Sequence, residues 1–282
     1  MPTYRGGRHE HGQNHLIDHT TISKLTTLAA RSEGPIVEIG PGRGALTKSL
    51  HQLGRPVTAV EVDPRAVAFL RETLSPGVEV VRADFLTWRL PATDHVIVGN
   101  VPFHLTTAIL RKLLHTPTWS EAVLLVQWEV ARRRAAVGGA SMMTAQWWPW
   151  IDFSLGGRVP RHALRPMPGV DGGLLIMTRR PQPLVGRADR HAYRQFVHDM
   201  FTSKGHGVAA ILTTITRARA LHVGRWLERA GASPTALPKD LSTDQWISLF
   251  RQARAHRDCR SRSDGAPAAR SSRSRGQKPR TG

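Results

Sequence analysis

Residues 35–54 read PIVEIGPGRGALTKSLHQLG. The β-branched run PIVEIG predicts a strand, and GALTKSLHQLG predicts a helix that stops at Gly54. Between them Gly40-Pro41-Gly42-Arg43-Gly44-Ala45 must turn tightly, and its glycines let a ligand approach the backbone closely. Strand, glycine turn and helix form the first half of a βαβ unit. Open sheets of that kind bind ligands at the carboxyl ends of their strands.

The alternation continues along the chain. PVTAVEVD (56–63) predicts a strand, and PRAVAFLRETL (64–74) a helix with Pro64 in its first turn. VEVVRADF (78–85), DHVIVGN (94–100) and EAVLLVQ (121–127) predict strands, with the helix LTTAILRKLL (105–114) before the last of them. GLLIMTRR (173–180) predicts one more strand, antiparallel to the others. Strands separated by helices imply right-handed crossovers and a mainly parallel sheet covered on both faces. The fold class is therefore α/β and Rossmann-like.

From about Arg187 the pattern becomes helical throughout, in HAYRQFVHDMFTS, GVAAILTTITRARALHVGRWLERAG and TDQWISLFRQARA. That predicts a small C-terminal all-α domain. After Ala255 large apolar residues nearly vanish, and a disordered arginine-rich tail is expected. The expected division is a basic N-terminal arm with a donor-site segment (1–33), a Rossmann-like domain (34–185), a helical RNA-binding domain (186–254) and the tail (255–282).

With 282 residues and a formal net charge of +19, the chain calls for a polyanionic partner, either nucleic acid or an acidic membrane surface. It has no long apolar run to span a membrane and no signal-peptide pattern at its N-terminus, so a cytoplasmic location is expected. The single cysteine, Cys259, excludes an internal disulfide and a cysteine-based zinc site. His9, His11, His15 and His19 lack completing ligands and have basic neighbours, so no metal is expected there. Trp147, Trp148 and Trp150, in the apolar stretch AQWWPW, read as core rather than as a base-stacking platform.

The glycine turn alone is ambiguous, because Gly40, Gly42, Ala45 and Glu61 also satisfy the dinucleotide fingerprint. Three acids separate the possibilities. Glu38 precedes the glycines, where a pyrophosphate would be repelled and a cation welcomed. Glu61 ends the second strand, placed to accept both ribose hydroxyls, and Asp84 after the third can accept from an adenine amino group. Each alone reads as a solvated loop carboxylate. Together they suit S-adenosylmethionine, which is cationic and carries no phosphate.

The fourth strand ends in Asn100-Val101-Pro102-Phe103. Pro102 stops the ladder and stiffens the turn. The Asn100 side-chain carbonyl and the Val101 backbone carbonyl are placed to accept both hydrogens of an adenine amine, leaving its lone pair aimed at a methyl group. The Phe103 ring is placed to stack on the base, which must leave its helix or loop to reach the site.

Taken together, GQNHL (12–16), VEIGPGRGALT, VEVD, ADF, NVPF, RPMPGVDGGLL and DLSTDQWISLF resemble the rRNA adenine N6-methyltransferases, and within them the Erm group of macrolide-lincosamide-streptogramin resistance enzymes. The resemblance covers nearly all of the chain except the tail. It implies that Asn14 and Leu16 line the donor pocket, that Gly40 contacts the donor's methionine, and that Glu61 and Asp84 bind its ribose and adenine. Asn100 would hold the target amine near the sulfonium. It also implies 23S rRNA as partner, before or during large-subunit assembly, and a monomeric protein. The alternatives are a small-subunit rRNA dimethyltransferase and a non-catalytic RNA-binding factor. Three positions depart from the pattern: His15 stands in place of a usual Phe, ADF in place of GDF, and Leu164 in place of an aromatic two residues before Pro166.

Overall fold

The computed structural model describes residues 14–264. His9, His11, Gly12, Gln13 and the tail beyond 264 lie outside the described residues. Strands β1 (His15–Leu16), β2 (Ile36–Ile39), β3 (Val57–Glu61), β4 (Val78–Arg82), β5 (His95–Asn100), β6 (Trp119–Gln127), β7 (Ile151–Val159), β8 (Leu164–Arg165) and β9 (Gly172–Arg179) alternate with helices in the first part of the chain. The helices are α1 (His19–Ala29), α2 (Ala45–His51), α3 (Pro64–Thr73), α4 (Thr106–His115), α5 (Trp128–Arg134) and α6 (Met142–Trp147). Helices α7 (Arg190–Thr202), α8 (Gly207–Thr216), α9 (Ala220–Ala230) and α10 (Thr243–Asp264) follow.

Seven strands form one sheet in the order β4-β3-β2-β5-β6-β9-β7. Strands β4 through β6 are parallel, and β9 runs antiparallel to both its neighbours. Chain order reverses at the β2–β5 junction, so that is where a ligand crevice opens. Strand alternation sorts the core into two layers. Ile36, Val57, Ala59, Val96, Val98, Val123 and Leu125 face α1 and α2, against Ile22, Leu25, Leu46 and Leu50. Val37, Ile39, Val60, Ile97, Leu124 and Val126 face the other way, against Ile109, Leu110 and Leu113 of α4. Each such side chain, fully buried, contributes about 1.5–3 kcal/mol.

The second layer continues without a break into the C-terminal helices. Trp147, Trp148 and Trp150 are buried in it, as the sequence pattern indicated. Edge-to-face contacts link Trp147 to Trp150, Trp150 to Tyr193, Tyr193 to Phe250, and Phe196 to Trp246. Such pairs add about 0.5–1.5 kcal/mol each beyond area burial.

Three sequence expectations need correction. The helical stretch 207–231 is two helices, because Arg217 takes a left-handed conformation (φ 55°) and Ala218 tucks into the core. Helix α10 continues past Ala255 to Asp264, so the first part of the expected disordered tail is helical. Arg254 pairs there with Asp189 and, one turn on, with Asp258. Strand β7 was not foreseen: Gly156 and Gly157 interrupt its alternation, and the register shifts between Leu155 and Gly157. Among the described residues no helix is long and apolar enough to cross a membrane.

Tyr193 replaces a missing backbone donor. The carbonyl of Ala145 in α6 would normally accept from residue 149, but that residue is proline and has no N–H. The buried Tyr193 hydroxyl donates to it instead at 3.0 Å. Tyr193→Phe leaves the carbonyl unsatisfied and should lower unfolding free energy by about 1–3 kcal/mol in denaturant melts. Full stability in that variant would show that the bond carries no weight.

Candidate active site

The glycine turn is built as its composition requires. Gly40 has φ 63° and donates its N–H to Val60 O at 3.0 Å. A Cβ placed on it would meet nothing within 4 Å, so its left-handed backbone is open to the crevice. Gly44 (φ 78°) is the N-cap of α2, and a Cβ there would come within 2.9 Å of Leu70 Cδ2. The turn is thus held from below and bare above.

Three acids stand around it in different states. Glu38 shares the strand face of Ile36 and points to the α2 side, where it is 1% exposed. Its Oε2 has no hydrogen-bond partner among the described residues, and neither has Oγ1 of Thr47 on α2. Burial pushes the carboxyl up to about 8, the Thr47 hydroxyl close by pulls the other way short of a hydrogen bond, and Glu61 adds to the rise. Glu61 is equally buried but well partnered: Oε2 accepts from Gly42 N at 3.2 Å, and Oε1 from Val62 N and Asp63 N at 2.8 and 3.0 Å. Asp84 is exposed just beyond β4, and its Oδ1 accepts from Leu86 N at 2.8 Å.

Strand β5 delivers Asn100 beside the glycine turn. Asn100 Nδ2 donates to the Asn14 carbonyl at 2.6 Å. A backbone carbonyl can only accept, so the amide orientation is settled and Oδ1 is the group left for a ligand. Val101 is anchored by its N–H to Leu125 O at 3.0 Å, and the Pro102 carbonyl accepts from Leu105 N at 2.9 Å. The Asn14 segment is itself held by β1 pairing with β8, which sets Leu16 opposite Leu164. Leu164 is fully buried beside Leu16, so the leucine in the usual aromatic position packs into the core.

One crevice is lined by Asn14, His15, Leu16, Glu38, Gly40, Pro41, Asn100, Val101, Pro102 and Phe103, among others. Glu61 adjoins it through Gly42, whereas Asp84 stands farther along the same edge, two strands from β2. A buried acid lacking a partner, under an open glycine turn, fits the ammonium and sulfonium of S-adenosylmethionine. A dinucleotide pyrophosphate, itself anionic, gains nothing from that unpartnered acid.

Sequence reading missed Lys112. It lies on α4, and its ammonium donates to the carbonyls of Phe85 (2.5 Å) and Leu86 (3.2 Å) and, by a very short contact, Trp88. It also lies over the Phe85 ring at 5.0 Å. Burial lowers its pKa and Asp84 opposes the fall. The whole loop after Asp84 is therefore clamped by one cation. The missed signal was a lysine at helical spacing among apolar residues (LRKLL). Several arginines of this basic chain are also engaged within the fold. Arg179 donates to the carbonyls of Trp119 and Thr116, Arg180 to Trp148 and Asp152, and Arg134 to Ser141.

Two outcomes follow from these contacts. Because Glu38 has its folded pKa above 4.5, the folded state binds the extra proton. Stability is full below that value and falls as pH rises toward about 8. Glu38→Gln should remove this loss, so donor-free variant and parent melt alike near pH 4 and diverge in the variant's favour near pH 8.5. A constant offset would rule out the buried acid as its cause. Lys112→Met should raise KM for the donor about tenfold with kcat little changed, since a hydrogen bond to a charged group contributes roughly 1.5–3 kcal/mol. A fall in kcat alone would disprove the clamp.

Residues 5–254 match the family described as ribosomal RNA adenine dimethylase. The chain is 58% identical over 213 residues to an rRNA adenine N-6-methyltransferase of Corynebacterium diphtheriae, covering 75% of this chain and 84% of that protein. It is 44% identical over 271 residues to the mycinamicin-resistance protein MyrB of Micromonospora griseorubida, covering 96% and 85%. The crystal structure of the 23S rRNA methyltransferase ErmE superposes with a TM-score of 0.79 at 34% identity, over 85% of this chain and 99% of that one. Kinship of that extent, on a site built to hold a cationic donor beside an adenine amine, has one reading: the chain belongs to the ribosomal RNA adenine dimethylase family, as an rRNA adenine N6-methyltransferase of the Erm kind.

Proposed function

We propose that the protein methylates N6 of one adenine in the peptidyl-transferase loop of 23S rRNA and thereby confers macrolide-lincosamide-streptogramin B resistance. The observation that carries the chemistry is the Asn100–Asn14 bond, which turns Oδ1 of Asn100 toward the crevice at the β2–β5 junction. The named activities of ErmE and MyrB support the choice of rRNA and of resistance.

An adenine amine is a weak nucleophile because its lone pair is delocalised into the ring. Oδ1 of Asn100 and the Val101 carbonyl accept its two hydrogens and turn the lone pair out of conjugation. Phe103, half-buried at the crevice mouth, takes the base face. Asn14, Leu16 and Gly40 hold the donor's methionine end, Glu61 its ribose and Asp84 its adenine. S-adenosylmethionine supplies an electrophilic methyl on a sulfonium, which departs as a neutral thioether. The extra proton then passes from the methylated nitrogen to water, so no side-chain base is required. The target base must be flipped, which favours naked 23S rRNA, before or during large-subunit assembly, as substrate. A cytoplasmic monomer meets these needs.

Labelled methyl transfer to protein-free 23S rRNA and to small subunits, mapped by primer extension, tests the assignment. Label at a single peptidyl-transferase adenine is expected; label only in small subunits would move the protein to ribosome maturation. Asn100→Ala should lower kcat about 10²–10³-fold, the usual effect of deleting one preorganised polar contact, while calorimetric donor affinity stays within a few-fold. Unchanged turnover would overturn the role of Asn100.

A further inference from the structure

The carboxyl end of β6 carries a second concavity beside the crevice. Strand β6 is the parallel neighbour of β5, with Asn100 opposite Leu125, so Gln127 and Trp128 emerge just beyond the catalytic turn at the same sheet edge. There Trp128, Arg158, Arg161, Val170 and Asp171 line an open cavity of about 420 Å³. That is within the range of small-molecule sites.

The cavity is held rigid. Trp128 N–H donates to the Asp171 carbonyl at 2.9 Å, and the Asp171 carboxylate accepts from Arg158 Nε at 2.7 Å and from the Arg161 N–H at 2.9 Å. Gly173 clears the floor, since a Cβ there would meet Ala131 Cβ at 2.7 Å and Trp128 Cε3 at 3.1 Å. The Arg158 guanidinium lies over the indole with its carbon 5.4 Å from the ring centroid. On the rim loop Val170 and Met167 are 49% and 51% exposed, an apolar patch on an otherwise cationic edge.

Resting on the rRNA-methylation reading above, we propose that this cavity receives the base of a nucleotide adjacent to the target adenine. Extruding one adenine unstacks its neighbours, which must then find new planar surfaces. Indole and guanidinium planes are the surfaces on which proteins stack single-stranded bases, at about 1–3 kcal/mol per base. Val170 covers the apolar edge of such a base, and the exposed Arg161 guanidinium reaches the phosphate joining it to the target. An acidic peptide would also meet the arginines, but the Asp171 carboxylate already engages Arg158, and a neutral aromatic ring suits the remaining surface better.

The test pairs protein and RNA changes. Short 23S hairpins containing the target adenine are made intact, or with an abasic ribose 5′ or 3′ of it, and KM and kcat for RNA are measured with the parent, Trp128→Ala and Trp128→Phe. One abasic hairpin should raise KM for the parent about five- to tenfold. That penalty should vanish in Trp128→Ala and persist in Trp128→Phe, with kcat little moved. Equal abasic penalties in parent and Trp128→Ala would overturn the subsite, as would the absence of any penalty in the parent. Melting temperature and donor binding identify a misfolded variant, and Arg158→Ala then takes its place. Failure of the parent to methylate even the intact hairpin and full-length 23S rRNA would instead remove the 23S reading, and the subsite with it.

Discussion

Strands β2 and β5 run closer than side chains normally allow. A Cβ on Gly99 would lie 2.9 Å from Ile39 Cβ and 3.0 Å from Ile39 O. The approach is possible only because position 99 is glycine, and it occurs at the last residue of β2 and one residue before the end of β5. Beyond Ile39 the chain enters the glycine turn, and beyond Gly99 it enters the Asn100 turn. The glycine turn and the Asn100 turn therefore emerge side by side, at the point where the sheet's chain order reverses. The rest of the site is arranged around that meeting.

The electrostatics follow from which acid has partners. Glu61 is buried but satisfied by three backbone N–H groups. Glu38 is buried and unsatisfied, so its neutral form is favoured until a cation arrives. A donor carrying an ammonium and a sulfonium supplies what the protein withholds. The cost of the orphaned acid falls on the empty crevice, and on the function proposed above donor binding would relieve it.

The sheet was readable in the sequence wherever strands were short, β-branched and followed by a regular helix, as from Ile36 to Gln127. It failed at β7, where Gly156 and Gly157 break the alternation, and at Arg217, where a non-glycine residue adopts a left-handed turn that composition does not announce. Within the site, Gly40 and Asn100 were readable because motif spacing alone sets them on strand ends, whereas Asn14 came only from the family resemblance. The Asn14–Asn100 bond was not readable, since it joins residues 86 apart in sequence. Charge was the least reliable guide. Arg179 and Arg180 serve backbone carbonyls of the fold, Arg180 also pairs with the exposed Asp152, and Arg190 lies over Trp147 at 4.3 Å. A net charge measures cations without telling which are already engaged.

Helix α4 ties the two half-sites together. It begins three residues after Phe103, with the Leu105 N–H and Thr106 Oγ1 both donating to the Pro102 carbonyl. Its Lys112, nearly two turns on, holds the loop that follows Asp84. Ile109, Leu110 and Leu113 bury its inner face against the sheet, so the helix cannot shift at one end alone. The Asn100 turn and the loop after Asp84 are thus joined to two ends of one packed rod. A displacement at either end is carried to the other through close-packed side chains, without any hinge between them.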